Sequence, residues 1–362
     1  MANILLIDDI ATHVKELDTA LRDEFKSVGT TTSVWIPDGT TRADEAFEAL
    51  LSSDTFMVVT DYDLTGNGKT GLFGSAIVDW CKSRFIPVGD YSRGQNINQL
   101  PRETDQYEIR VPSNPVEAAR YIRQVYDGFA TLRTAVHDRW DELSVKRSPS
   151  AILAEILGKP LEESRFALYG TKIGISNPAL IERLSPFESR ARAVEDMKCF
   201  LPYVLGHLLL NVILRFPGPI MHAQALGAFL GVHSDELGNV EGTFDDARYQ
   251  GPFSDVEKFF WTTDVEQILN NLRDDAPDAD EGETIGELNR RTLQHLYGRE
   301  LKPHDCQRCH EAQGGLYCPF TKRAVCQRPT CSVPSNAWIP QGARLCRIER
   351  EFYDEWAPLL GF

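Results

Sequence analysis

The first third of the chain alternates two apolar patterns. Asn3 to Ile7 is a short apolar run ending in Asp8-Asp9, the pattern of a strand buried on both faces. Val14, Leu17, Leu21 and Phe25 then recur at helical spacing. Ser33 to Ile36 predicts a second strand, and Ala43, Ala46, Phe47, Leu50 and Leu51 stripe a second helix. Thr55 to Thr60 predicts a third strand that runs into Asp61-Tyr62-Asp63, and Leu72, Phe73, Ala76, Ile77 and Trp80 mark a third helix. Phe85 to Tyr91 and Tyr107 to Val111 supply two more strands, and Asn114 to Phe129 a closing helix. Strand and helix alternating over short connections predict an α/β, doubly wound parallel sheet of five strands.

The pattern then turns mainly helical. Residues 131–150 read as a helical connector containing Trp140, with Ser148-Pro149 as a break. Residues 151–298 read as a mainly α-helical output domain. Ser150 is expected to cap a helix over Ile152 to Leu157, and Ser185-Pro186 to start another. Cys199 to Phe216 is apolar almost all round but is interrupted by Pro202, His207 and Asn211. That pattern predicts a buried core helix rather than a membrane span. His207 and His222 lack neighbours at ligand spacing and read as core or surface histidines, Cys199, with no base nearby in sequence, as a buried small apolar residue, and His233-Ser234-Asp235 as a loop and helix cap. No kinase, cyclase, nuclease or helix-turn-helix motif stands out, so no catalytic residue is assigned. Asp274 to Glu283 is expected to be a solvated acidic linker, and Thr284 to Tyr297 a helix.

Charge and cysteine content single out residues 299–362. The chain of 362 residues carries a net charge of −15, yet Arg299 to Arg350 holds nine basic and four acidic side chains. Six of the eight cysteines lie between Cys306 and Cys346. Nothing at the N-terminus reads as a secretory signal, so a cytoplasmic location is expected and the cluster predicts metal rather than disulfides. Cys306-x2-Cys309 followed by Cys326-x4-Cys331 has the spacing of a tetrahedral zinc site, with Cys318 and Cys346 as substitute ligands and His304 or His310 available to a second ion. An iron–sulfur cluster is the alternative cofactor. Arg323 and Arg328, set among aromatic residues, are candidates for nucleic-acid contact; pairing with the acidic body is the plainer reading.

The acidic residues at the strand ends carry a further signal. Asp8-Asp9 and Asp61 fall where functional side chains collect in parallel sheets, and carboxylates gathered there suit Mg²⁺. With Ile4-Leu5-Leu6-Ile7-Asp8-Asp9, Val58-Val59-Thr60-Asp61, Pro87-Val88-Gly89-Asp90-Tyr91-Ser92 and Arg110-Val111-Pro112 in this order, residues 1–130 resemble the receiver domain of response regulators. The resemblance implies a sheet of strand order 2-1-3-4-5, Mg²⁺ held by Asp8, Asp9 and Asp61, and a switch hydroxyl at Ser92. It also implies Asp61 as phosphoacceptor from a histidine kinase. Val111 stands where the family usually has Lys, which leaves Arg110 as the phosphate-pairing candidate. The sequence thus predicts a two-component signalling regulator, with phosphorylation at Asp61 or phospho-independent docking, or else a nucleic-acid-binding or scaffold protein with an inert receiver.

Overall fold

The computed structural model describes residues 2–40, 42–65, 71–91, 108–146, 148–176 (171–176 by backbone only), 194–273, 284–311, 315–334 and 338–358. It divides into two compact units, Met1–Val145 with Ser185–His207, and Lys146–Leu184 with Leu208–Phe362.

In the first unit β1 (Asn3–Ile7), β2 (Thr31–Trp35), β3 (Thr55–Thr60), β4 (Val88–Asp90) and β5 (Glu108–Arg110) form a parallel sheet of order β2-β1-β3-β4-β5. Every residue of β3 is buried, as its unbroken apolar run requires. On one face α2 (Ala43–Leu50) and α3 (Gly74–Lys82) bring Phe47, Ile77, Val78 and Cys81 against Leu5, Ile7, Val58 and Val88. α1 (Ala11–Glu24) packs against α4 (Pro115–Asp138). β4 is shorter than the predicted Phe85 to Tyr91, because Phe85 takes a left-handed backbone (φ 59°) that turns the chain before the strand starts.

The predicted boundary at residue 130 falls inside α4. This helix is capped by Asn114, whose Oδ1 accepts from the amides of Val116 (3.0 Å) and Glu117 (3.2 Å). It runs unbroken to Asp138 because Val125, Phe129, Leu132 and Val136 stay buried past the predicted end. The helix Val194–His207 lies against it, with Gly206 too close to the Phe129 ring to admit a Cβ. The run Val194–Ile213 has a mean hydropathy of 1.2 over its most apolar window, 72% of which is buried, as expected of a core helix.

A hydrophobic core fills part of the second unit. Its helices Ala223–Leu230, Ser234–Val240, Thr262–Arg273 and Ile285–Tyr297 contribute Leu226, Leu230, Leu237, Val240, Val265, Leu269 and Leu293, and Leu301 from the predicted C-terminal module joins them. The Cys-rich segment is therefore not a module apart. The His304 amide donates to the Gly231 carbonyl (2.8 Å), and the Tyr317 hydroxyl to Gln224 Oε1 (3.3 Å). A loop-rich stretch with few apolar residues borrows the neighbouring core. Ser148, not Ser150, caps the helix Pro149–Ile156, placing Pro149 at the first position where its missing N–H costs nothing. The expected helix start at Ser185 and the acidic linker 274–283 lie outside the described residues.

Candidate functional sites: a carboxylate trio and a four-cysteine cluster

Three carboxylates meet at the carboxyl edge of the parallel sheet. Asp8 and Asp9 follow β1, and Asp61 follows β3, its amide donating to the Ile7 carbonyl (2.9 Å). One ligand oxygen from each lies within 4.8 Å of the others. The backbone shapes the site closely: a Cβ on Gly74, at the start of α3, would sit 2.6 Å from the Asp61 carbonyl oxygen. Asp8 Oδ1 accepts from the Ile10 amide (2.7 Å), and Asp61 Oδ1 from the Tyr62 amide (2.7 Å). Burial raises the Asp8 pKa above the usual carboxylate value, against the pull of the Ile10 amide and of His13, whose Nδ1 is 3.4 Å from Asp8 Oδ2. A buried carboxylate that resists ionisation beside two others is the electrostatic demand that a hard divalent cation meets. Arg110 ends β5 with its side chain exposed, and Ser92 lies outside the described residues. Asp63 is engaged locally: its Oδ1 accepts from the Thr65 amide (3.0 Å) and hydroxyl (2.5 Å), which lowers its pKa.

In the second unit the sulfurs of Cys306, Cys309, Cys326 and Cys331 all lie within 4.8 Å of one another. The Cys309–Cys326 separation is 3.9 Å, close to the roughly 3.8 Å edge of a tetrahedron with Zn–S bonds of about 2.3 Å. His310, just past the first cysteine pair, takes the left-handed conformation (φ 56°), tolerated better by His than by most residues. Burial raises the Cys306 pKa, but the backbone amides of Cys309, Arg308 and Cys326 outweigh it and bring the thiol below its ordinary value. Cys326 lacks that balance, and burial pushes it up to about 12. The four residues thus fit a metal bound by thiolates.

Cys318 and Cys346 do not join the cluster. The Cys318 sulfur accepts from the Glu349 amide (3.2 Å), and the Cys346 thiol points at the Pro217 carbonyl (3.8 Å). Both are buried, held by the packing of the segment onto the core. His304 is half-buried, and His310 is 79% exposed and 4.0 Å from Asp305.

The two basic candidates carry acidic partners from within the same segment. Arg323 Nη1 lies 3.2 Å from Glu349 Oε1, and Arg328 pairs with Glu311. Glu349 is a site residue that sequence reasoning missed. It is 1% exposed, and the same oxygen also stands 3.8 Å from Nε of Arg308, inside the first cysteine pair. Its one visible signal is adjacency to the apolar Ile348.

No family model, curated protein or solved structure matches the chain.

Proposed function

We propose that the protein is a signalling regulator whose first unit is a Mg²⁺-dependent phosphoacceptor at Asp61 and whose second unit is held together by a zinc ion on Cys306, Cys309, Cys326 and Cys331. One observation carries the reading: Asp8, Asp9 and Asp61 converge at the carboxyl edge of a sheet of order 2-1-3-4-5. An Asp61 oxygen attacks phosphorus, the bond from phosphorus to the donor breaks, and an acyl phosphate forms. Mg²⁺ would neutralise the gathering oxygens when bound. Asp8 and Asp9 hold the cation's place, and the Tyr62 amide at 2.7 Å orients the Asp61 carboxylate. A histidine kinase is the expected donor, and Arg110 is the candidate partner of the incoming phosphoryl group. Incubation with acetyl phosphate tests the reading: Asp61 gains phosphate, and Asp61→Asn does not.

Zinc rather than an iron–sulfur cluster is supported by the close approach of the four sulfurs. Several irons would hold their thiolates farther apart than one ion does. The runner-up function, nucleic-acid binding through Arg323 and Arg328, is weakened by the acidic partners both already have.

A further inference from the structure

The first turn of α1 brings a nitrogen base to the edge of the carboxylate trio. Asp8 and Asp9 are followed by Ile10, whose carbonyl accepts from the His13 amide (3.0 Å), so the chain enters the helix directly after the two acids. Val14, Leu17 and Leu21 bury one face of α1 and fix its rotation. Side chains lean toward the N-terminus of a helix, which carries His13 back toward the end of β1. Its Nδ1 stands 3.4 Å from Oδ2 of Asp8, a residue only 4% exposed. The other Asp8 oxygen is already held by the Ile10 amide (2.7 Å). The imidazole is 25% exposed, yet Nδ1 itself is closed off from solvent and makes no hydrogen bond among the described residues.

A ring nitrogen sealed from water and without a hydrogen bond is uncompensated as it stands. A formed hydrogen bond to Asp8 would close to about 2.9 Å. The observed 3.4 Å gap instead matches the edge of a tetrahedron whose metal–nitrogen and metal–oxygen bonds are about 2.1 Å. The spacing is that of two neighbouring donors on one ion. Donor type then matters. Carboxylates suit Mg²⁺, which binds oxygen and keeps several waters, whereas imidazole suits first-row transition cations.

We infer that His13 adds a nitrogen donor to the trio of Asp8, Asp9 and Asp61, so that the site holds a first-row transition cation such as Mn²⁺ in preference to Mg²⁺. The three carboxylates lie within 4.8 Å of one another, and His13 joins them from the Asp8 side when the ion binds. The acids attract any divalent cation; the nitrogen discriminates, because Mg²⁺ gains little from an imidazole. The inference rests on the trio being a divalent-cation site, and not on phosphoryl uptake at Asp61.

The test uses the full chain, with Mn²⁺ as the probe and Mg²⁺ as its competitor. The paramagnetic resonance signal of free Mn²⁺ gives the affinity, and displacement by Mg²⁺ gives the preference. The wild type binds Mn²⁺, and pulsed resonance of the bound ion shows coupling to a ligating nitrogen. Asp9→Asn sharply weakens both ions, which places the probe at the trio. His13→Phe, which keeps a ring in place, and His13→Ala both lose the nitrogen coupling. Each lowers the Mn²⁺-over-Mg²⁺ preference about tenfold and leaves Mg²⁺ affinity within about twofold. Equal weakening of both ions would make His13 a mere support of Asp8, and an unchanged preference or a surviving nitrogen coupling would make it a bystander. Any of these overturns the inference and leaves the cation site standing. A wild type that binds neither ion overturns the cation site as well. Circular dichroism of each variant confirms that the helices persist.

Discussion

Nη1 of Arg323 stands 3.2 Å from Oε1 of Glu349, a carboxylate that is 1% exposed and pairs in register with Ser332, the residue after Cys331. Arg308, between Cys306 and Cys309, approaches the same oxygen at 3.8 Å. A single buried acid thus ties both halves of the cysteine cluster to the short strand Ile348–Glu349.

This relationship predicts that Glu349→Ala lowers stability by roughly 1 kcal/mol, since Arg323 and Arg308 are 54% and 34% exposed and Arg308 keeps Glu351 as a partner. Glu349→Gln keeps the shape and costs less. Denaturant unfolding with metal saturated measures the loss. Metal release to a chelator should be faster in both variants, because outer partners hold the ligands in place.

Metal content separates the cluster from the other cysteines. The purified protein should hold about one zinc per chain. Cys306→Ser and Cys326→Ser should lose it, whereas Cys318→Ser and Cys346→Ser should keep it, since their sulfurs face Glu349 and Pro217. Elemental analysis decides, and iron with visible absorption in the wild type would contradict the assignment.

Sequence patterning resolved the strands better than the sites. Asn3–Ile7 and Thr55–Thr60 are strands with the predicted bounds, because a strand buried on both faces is a continuous apolar run. Asp8, Asp9 and Asp61 were legible as strand-end residues, and the four cysteines as two closely spaced pairs. Their spacing singled out Cys306, Cys309, Cys326 and Cys331 but left Cys318 and Cys346 as substitutes, and only what the folded core places beside those two keeps them out. Helices of eight and seven residues carry too few turns for a periodic signal, so Ala223–Leu230 and Ser234–Val240 are not separable from the pattern alone. Gly231, the left-handed C-cap of the first of them, was the cue that could have separated the two.

His222 predicts a pH dependence. Burial, with Lys322 adding to it, brings its pKa from 6.5 down to about 4. The unfolded chain therefore takes up a proton before the folded one does. Stability is fully present above about 6.5 and falls as pH drops from there to about 4, by roughly 3 kcal/mol in total. Glu257, whose Oε1 is 3.7 Å from His222 Nδ1 and whose pKa burial raises, acts in the opposite direction. His222→Asn retains a capping side chain without the titration, so its unfolding free energy should fall less steeply over that window. Equal slopes in the two proteins would contradict the assignment.

The central claim is that Asp61 accepts a phosphoryl group with Asp8 and Asp9 holding the cation beside it. The most direct measurement is intact mass of the full chain after incubation with acetyl phosphate, with Mg²⁺ and with chelator. The account predicts one added phosphoryl group that requires Mg²⁺, is removed by hydroxylamine, and is absent in Asp61→Asn and sharply reduced in Asp9→Asn. No added mass with Mg²⁺ present, or an added phosphoryl group that survives Asp61→Asn, would contradict it.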